Sequence, residues 1–452
     1  MDYSLKELAL LCGGKLCEGS DGERRFDYIT SDSRNIRDEK SFFVAFKGDR
    51  FDGHAFAADI CKTGGAIIDD ENFICPNAIL VDNVKAALYR IALYHRQHKL
   101  SGVKVLAVTG SVGKTTVKNM AHLVMSVAYN CYKSPGNQNS LMGMPMAILN
   151  MSPEYEWAVL ELGMSERGEI ERLSKLTVPT AAIVTNIGHS HIVALGSREA
   201  IRDEKTDVRL GMLEGGAMIL NGDEPLLREK TYENALYCSV TDSGCDAFAE
   251  GLEELENGTR FTAVVKGEKA QCFLPAFGAH NVQNALLCIC AGVACGVELC
   301  DAVKALEGFE SEGNRQRIYV KDGVKVIADC YNASPESMKA ALGVLSESAG
   351  TRYAVLGDML ELGDYAERLH RMVGAAAAGR CDRLFCVGRD AAFIADEAVK
   401  CGLDPEKVSL FAADEKDAAA EALKAELKSG DSVLFKASNK TYIWKVMEKA
   451  GL

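Results

Sequence analysis

The apolar positions change period several times along the chain, and each change marks an element. Up to about residue 83, short apolar runs stand between turns: FFVAF at 42–46, AIIDD at 66–70 and AILV at 78–81. Runs this short, bounded by turn residues, predict the strands of a small α/β module. The period then becomes helical. Val84, Ala87, Leu88, Ile91 and Ala92 fall at i, i+3, i+4, i+7 and i+8, which predicts a connecting helix over 84–99. The stripe stops at His95, and the polar run after it predicts a solvated helix end. A β-rich run at 103–108 follows, then the turn TGSVGKTT at 109–116. Val117, Met120, Ala121, Val124, Met125 and Ala128 next share one helical face. Apolar strands are predicted again at 157–160, 181–185 and 218–220, with helical patterns between them. A mainly parallel sheet with helices on both faces fits that alternation.

After about residue 312 a third alternating block begins. Strands are predicted at 324–329, 353–358, 383–388 and 432–437, with helices at 335–345, 365–378 and 418–427. The whole reads as an α/β chain of three domains. Residues 1–83 form a small N-terminal α/β module, 84–312 a central P-loop-type, mainly parallel sheet, and 313–452 a C-terminal Rossmann-like open sheet.

Composition narrows the classes of function. At 452 residues, 48% hydrophobic and 25% charged, the chain suits a multi-domain globular protein and excludes wholesale disorder. A net charge of −13 disfavours general binding to nucleic acid or to an anionic membrane. No stretch reaches the roughly 18 apolar residues that span a bilayer. The N-terminal MDYSLKE mixes charges early and lacks a signal peptide's apolar core. The 16 cysteines are scattered, several in apolar company (Cys288, Cys290, Cys295), and no CxxC pair repeats at zinc spacing. They read as reduced core thiols in a cytoplasmic protein.

The strongest chemical signal is Gly110-Ser111-Val112-Gly113-Lys114-Thr115-Thr116, set between a strand and an amphipathic helix. Glycines there let backbone N–H groups curl around phosphate oxygens, and the helix N-terminus adds its dipole. Lys114 would reach the β- and γ-phosphates of ATP, and the Thr115 hydroxyl would ligate Mg²⁺. Position 108 is valine where the longer loop pattern has glycine, so this is a shortened form. Glu161 ends one predicted strand and His191 follows another, the places where an open α/β sheet meets its ligand. From spacing alone, Glu161 serves equally as an ion-pair partner and His191 as a satisfied turn residue. His189 rivals His191.

These motifs resemble the Mur ligases, ATP-dependent amide ligases of peptidoglycan precursor synthesis. TGSVGKTT resembles the family's phosphate loop, PGNQNSLMGMP (135–145) its Asn-rich substrate loop, and ELGM (161–164) and TNIGHSHI (185–192) its metal segments. GSREAIRDEK (196–205) is similar to the segment ending in a modified lysine, and GAHNVQNALLCICA (278–291) to the adenine-side motif. At the ends, SDSRNIRDEKSFFVAFKGDRFDGHAF (31–56), DCYNASPESM (329–338) and AVLGDMLELGDYAERLH (354–370) are similar to the branch that adds D-alanyl-D-alanine.

The resemblance implies a reaction and its parts. ATP would activate UDP-N-acetylmuramoyl-tripeptide as an acyl phosphate, and D-alanyl-D-alanine would attack it. Residues 1–83 would hold the UDP substrate, 84–312 ATP, and 313–452 the dipeptide. Lys114, Glu161, His191 and Lys205 would be catalytic. Gly110, Ser111, Gly113, Thr115, Thr116, Asn281, Asn284, Arg315 and Asp329 would line the nucleotide, with Arg315 rather than Arg317 taking the arginine role. Ser33, Asn137, Asn139, Tyr331 and Asn332 would meet the other substrates. Two Mg²⁺ ions would sit among Thr115, Glu161, His191 and Lys205, the last carrying a carbamate. Ala437 and Asn439 stand where glycine and arginine are common in the family, although Lys436 and Ser438 match. A monomer is expected. A folylpolyglutamate-synthetase-like ligase and a non-catalytic nucleotide switch are the competing expectations.

Overall fold

The computed structural model describes residues 1–48, 51–313 and 315–452. The chain divides into two compact units. One comprises residues 1–109, 125–183 and 206–218, the other 110–124, 184–205 and 219–452.

In the first unit the short apolar runs do form strands. Tyr28–Thr30, Ser41–Val44, Gly65–Ile68 and Ala78–Leu80 are neighbours in a parallel array, with Lys15–Leu16 antiparallel at one edge. Phe43, Ala45, Ala66, Ile68 and Ala78 fill one face of this sheet. The connecting helix runs Val84–His98, its first turn capped by the Asn83 side chain, which accepts from the Ala86 N–H. All five stripe residues are buried.

The end of that helix is solvated at Gln97, His98 and Lys99, as its polar run predicts, but Arg96 within the run turns inward. Arg96 is 6% exposed, and its guanidinium donates to the carbonyls of Thr177 (2.8 Å), Val103 (2.9 Å) and Leu100. A planar five-donor group can satisfy several backbone carbonyls at once, and so staples the helix end to two loops. His95 is buried beside it. Its Nδ1 lies 2.9 Å from the Tyr3 hydroxyl, and its Nε2 has no hydrogen-bond partner among the described residues. Burial, with smaller contributions from the N-terminal ammonium and Lys99, brings its pKa down to about 4.

The unfolded chain takes up that proton near the ordinary histidine value while the folded one resists it. Stability is therefore retained above the unfolded pKa and lost as pH falls from about 6.5 towards 4. At pH 5 the loss from this group is expected to be about 2 kcal/mol. Urea unfolding at pH 7 and pH 5 checks this. In His95→Gln, which keeps an acceptor for Tyr3, the gap between the two pH values should shrink by about that amount.

The first unit also carries most of a run of neighbouring strands, in the order Ala181–Val184, Lys104–Thr109, Trp157–Glu161, Cys131–Lys133. The last three are parallel, and Glu161 lies opposite Val108 at their carboxyl ends.

The helix Lys114–Ser126 follows the loop, with Val117, Met120, Ala121, Val124 and Met125 buried. Ala128 falls beyond the helix end and is exposed, so it leaves the predicted stripe. Ala235–Ser239 and Ala247–Leu255 pair in parallel. Gly258–Val265 and Glu268–Leu274 then add as antiparallel strands, so the sheet is mainly rather than wholly parallel, as predicted. The C-terminal sheet has six strands, ordered Arg317–Lys321, Val324–Asp329, Ser432–Lys436, Arg352–Gly357, Arg383–Val387, Val408–Phe411. All but the first edge strand run parallel. Val326, Val355, Phe385, Val433 and Phe435 pack together on one face. The last strand in sequence inserts at the centre, and its register sets Lys436 against Asp329. All sixteen cysteines are free thiols, most of them buried. Among the described residues no helix is long and apolar enough to cross a membrane.

Candidate active site

The phosphate loop is held by the segment that follows strand Ala181–Val184. The Val112 N–H donates to Asn186 Oδ1 (3.0 Å), and the Val112 carbonyl accepts from Asn186 Nδ2 (3.1 Å) and from the Thr185 hydroxyl (2.6 Å). The Ser111 N–H donates to the Asn186 carbonyl, and the Ser111 hydroxyl accepts from the Gly188 N–H at 2.8 Å. Gly110 has φ +146, and a Cβ there would collide with the Thr185 hydroxyl. Thr115 is buried at the first turn of the following helix, and Thr116 is half-buried beside it.

Two lysines converge on this loop. Lys114 Nζ donates to the Gly110 carbonyl at 2.8 Å and to that of Ser111 at 3.3 Å. Lys205 Nζ, from helix Arg198–Thr206, donates to the same Gly110 carbonyl at 2.9 Å and is 1% exposed. Complete burial, reinforced by the neighbouring Lys114 charge, drives the Lys205 pKa well below the ordinary lysine value. Sequence alone would leave Lys205 on a solvated helix face. The structure instead buries the amine completely, a setting that disfavours its charged form. His191 is likewise brought down to about 4, chiefly by burial. It is neutral at pH 7, as a metal ligand must be.

Its rival His189 has a different task. Its Nδ1 lies 2.5 Å from Glu336 Oε1, a residue of helix Pro335–Ser346. Burial opposes ionisation of Glu336, yet the hydrogen bond from His189 prevails and holds its pKa below the usual value.

Glu161 belongs to the first unit. Its carboxylate accepts from Asn139 Nδ2 at 2.8 Å, and its N–H donates to the Ser134 hydroxyl. Asn139 thus orients the carboxylate, whereas Asn137 is exposed on the same loop. Ser33 opens a short turn, half-exposed, at the carboxyl end of strand Tyr28–Thr30, where the Asp32 side chain caps the Arg34 N–H.

In the second unit a set of polar groups forms a chain. Asn284 Nδ2 donates to Asn281 Oδ1 (3.4 Å), Asn281 Nδ2 to Gln316 Oε1 (2.6 Å), and the Gln316 N–H to Asp329 Oδ1 (3.3 Å). Lys436 Nζ completes it, 2.6 Å from Asp329 Oδ2 and 2.9 Å from the Asn332 carbonyl. Gly113 lies against Asn284, joining this chain to the loop. Arg315 stacks on the exposed Tyr331 ring, 3.7 Å from its centroid. Gln316 was not marked out by sequence. It is a polar residue in a turn, and only the fold reveals that it bridges Asn281 and Asp329.

Among the described residues no three His, Cys, Asp or Glu side chains gather as a metal-holding group. The donors foreseen here are a hydroxyl, one carboxylate, one imidazole and a lysine. Such a sparse set suits Mg²⁺, which usually takes one or two carboxylates and completes its shell with water and substrate phosphate.

Residues 108–292 match the Mur ligase middle domain, and residues 314–439 match the Mur ligase, glutamate ligase domain. The chain is 39% identical to the UDP-N-acetylmuramoyl-tripeptide–D-alanyl-D-alanine ligase of Bacillus subtilis, over 96% of this chain and 95% of that one. The chain belongs to the Mur ligase family. An Escherichia coli Mur ligase of the same name is 34% identical over 86% of each chain. The crystal structure of MurF from Acinetobacter baumannii superposes with a TM-score of 0.87 at 29% identity, covering 99% of this chain and 98% of that one. MurF ligase from Thermotoga maritima in complex with ADP gives 0.82 at 27% identity, with 93% and 96% covered. The chain therefore has the three-domain Mur ligase fold. In this Mur ligase the alanine at 437 is fully buried and lies against Gly357, and the neighbouring Ser438 hydroxyl accepts from the Leu360 N–H at 2.9 Å.

Proposed function

We propose that this Mur ligase is an ATP-dependent amide ligase that joins D-alanyl-D-alanine to UDP-N-acetylmuramoyl-tripeptide, yielding the pentapeptide precursor of peptidoglycan, ADP and phosphate. The observation that carries this reading is a fully buried Lys205 that shares the Gly110 carbonyl with the phosphate-loop Lys114, in a chain alike from end to end to ligases of that name. That likeness weighs against a folylpolyglutamate-type ligase. A second buried lysine beside the loop gives a mere nucleotide switch nothing to do.

The chemistry follows from charge. A carboxylate is a poor electrophile, and both it and the γ-phosphate are anionic. Lys114 neutralises and positions the phosphates while the tripeptide carboxylate attacks phosphorus and ADP leaves. The dipeptide amine then adds to the acyl phosphate, and the tetrahedral intermediate expels phosphate. Thr115, Glu161, His191 and Lys205 would hold Mg²⁺, whose role when bound is to stabilise charge on the transferring phosphoryl group. Addition of CO₂ to the neutral Lys205 amine, with loss of one proton, converts a would-be cation into a carboxylate donor. Gly110, Ser111, Gly113 and Thr116 line the phosphates, Asn281, Asn284, Arg315 and Asp329 the rest of the nucleotide, and Ser33, Asn137, Asn139, Tyr331 and Asn332 the other substrates. Residues 1–83, 84–312 and 313–452 divide the UDP substrate, ATP and dipeptide between them. The need for ATP, together with sixteen free thiols, supports a cytoplasmic enzyme, and a monomer is the state proposed for it.

ADP release with ATP and Mg²⁺, tested with both substrates and with each omitted, checks the reading. Release that requires both, with the pentapeptide seen by mass, is expected. Release with neither, or none with both, would overturn it.

A further inference from the structure

Residues 188–196 carry His191, and the C-terminal six-stranded layer grips this segment at both ends. At its start, Glu336 reaches in from the first turn of helix Pro335–Ser346. Its Oε1 lies 2.5 Å from His189 Nδ1, and its Oε2 accepts from the His189 N–H at 3.4 Å. Gly188 makes this approach possible, since a Cβ there would stand 2.7 Å from Glu336 Oε2. At the far end, the Tyr365 hydroxyl donates to the Gly196 carbonyl at 3.0 Å, just before helix Ala366–Ala377. Val193 lies against Gly363 between them.

Within the gripped segment His191 has φ +65, ψ +22, the left-handed region, immediately before the helix Ile192–Leu195. A non-glycine residue holds that conformation at a cost of about 1 kcal/mol or more, and does so only where its surroundings fix it. The first anchor is also a charged hydrogen bond, the stronger kind.

We propose that Glu336 and Tyr365 are positioning residues: by holding both ends of 188–196 they keep His191 in its ligand-presenting conformation. Docking of the C-terminal layer and readiness of the metal side of the phosphate site are then one event. This rests on the reading of His191 as a Mg²⁺ ligand. The contacts of Glu336 and Tyr365 that carry this role are to His189 and to the Gly196 carbonyl, not to His191 itself. Their effect passes through the backbone of the segment.

The test uses the full chain as Glu336→Ala, Tyr365→Phe, the double variant and Glu336→Gln, which keeps an acceptor for His189. In ligand-free protein, amides of 189–196 should exchange about tenfold faster in the double variant, with amides of strand Ser432–Lys436 unchanged. In ADP-release assays the half-saturating Mg²⁺ concentration should rise about tenfold while turnover at saturating Mg²⁺ falls less than about threefold. Glu336→Gln should recover most of both. Unchanged exchange would overturn the proposal, as would a turnover loss that saturating Mg²⁺ does not restore. If the double variant exchanges throughout the C-terminal sheet, the single variants decide by the same criteria. A parent protein that releases no ADP would sink the ligase reading instead, and the exchange comparison would still decide whether the segment is gripped.

Discussion

Lys205→Ala is expected to lower kcat by roughly 10²- to 10³-fold, the usual effect of removing one preorganised electrostatic group at a transferring centre. ATP affinity should change by less than about threefold, because the phosphates are bound chiefly by the loop backbone and Lys114. The expectation follows from where Lys205 lies. It is fully buried, its Nζ shares the Gly110 carbonyl with Lys114, and its charge is suppressed by both. An amine in that setting contributes little as a cation. As a carbamate it is an anionic oxygen donor in the same place. Lys205→Arg sharpens the comparison, since arginine stays charged and adds no CO₂, and it should be as impaired as alanine. Bicarbonate should restore turnover to CO₂-depleted parent protein and leave both variants inactive. Single-turnover ADP release and calorimetric ATP titration measure the two halves separately. Equal losses in affinity and turnover would show that Lys205 is simply part of the nucleotide's binding surface.

Lys114→Ala should cost more, about 10³-fold or greater in kcat/KM, because this cation serves both binding and the transition state. It carries a second consequence. The Lys114 charge is one of the causes of the depressed Lys205 pKa, so its removal leaves Lys205 with only burial to keep it neutral. The two lysines are therefore coupled, and the Lys114→Ala/Lys205→Ala variant should fall well short of the product of the single losses. Fully multiplicative effects in that cycle would mean that the two side chains act independently.

Much of this architecture is legible in the sequence, for reasons that differ by element. The strand, loop and helix over 104–126 can be read because a doubly covered parallel strand is a continuous apolar run and the following stripe has one period. The edge strands Arg317–Lys321 and Val408–Phe411 escape notice, since an edge need bury little and so leaves a weak pattern. Arg96 reads as part of a polar tail. Its burial depends on carbonyls at Leu100, Val103 and Thr177, which no local pattern announces. In the site, residue types and motif resemblance point to Lys114, His191 and Lys205, and the structure gathers these around one loop. It does not read out their partners. Asn186 meets Val112 across 74 positions and Glu336 meets His189 across 147, separations that only a completed fold brings to contact.

The way Asn186 and Thr185 hold the Val112 peptide on three sides bears on the catalytic cycle as a whole. The phosphate loop draws its shape from the neighbouring strand end rather than from an anion. Nucleotide enters a cradle whose ordering entropy was lost when the protein folded, so less of its affinity is consumed in organising the loop. A loop held by these three hydrogen bonds should therefore keep its hydrogen-exchange protection with and without nucleotide.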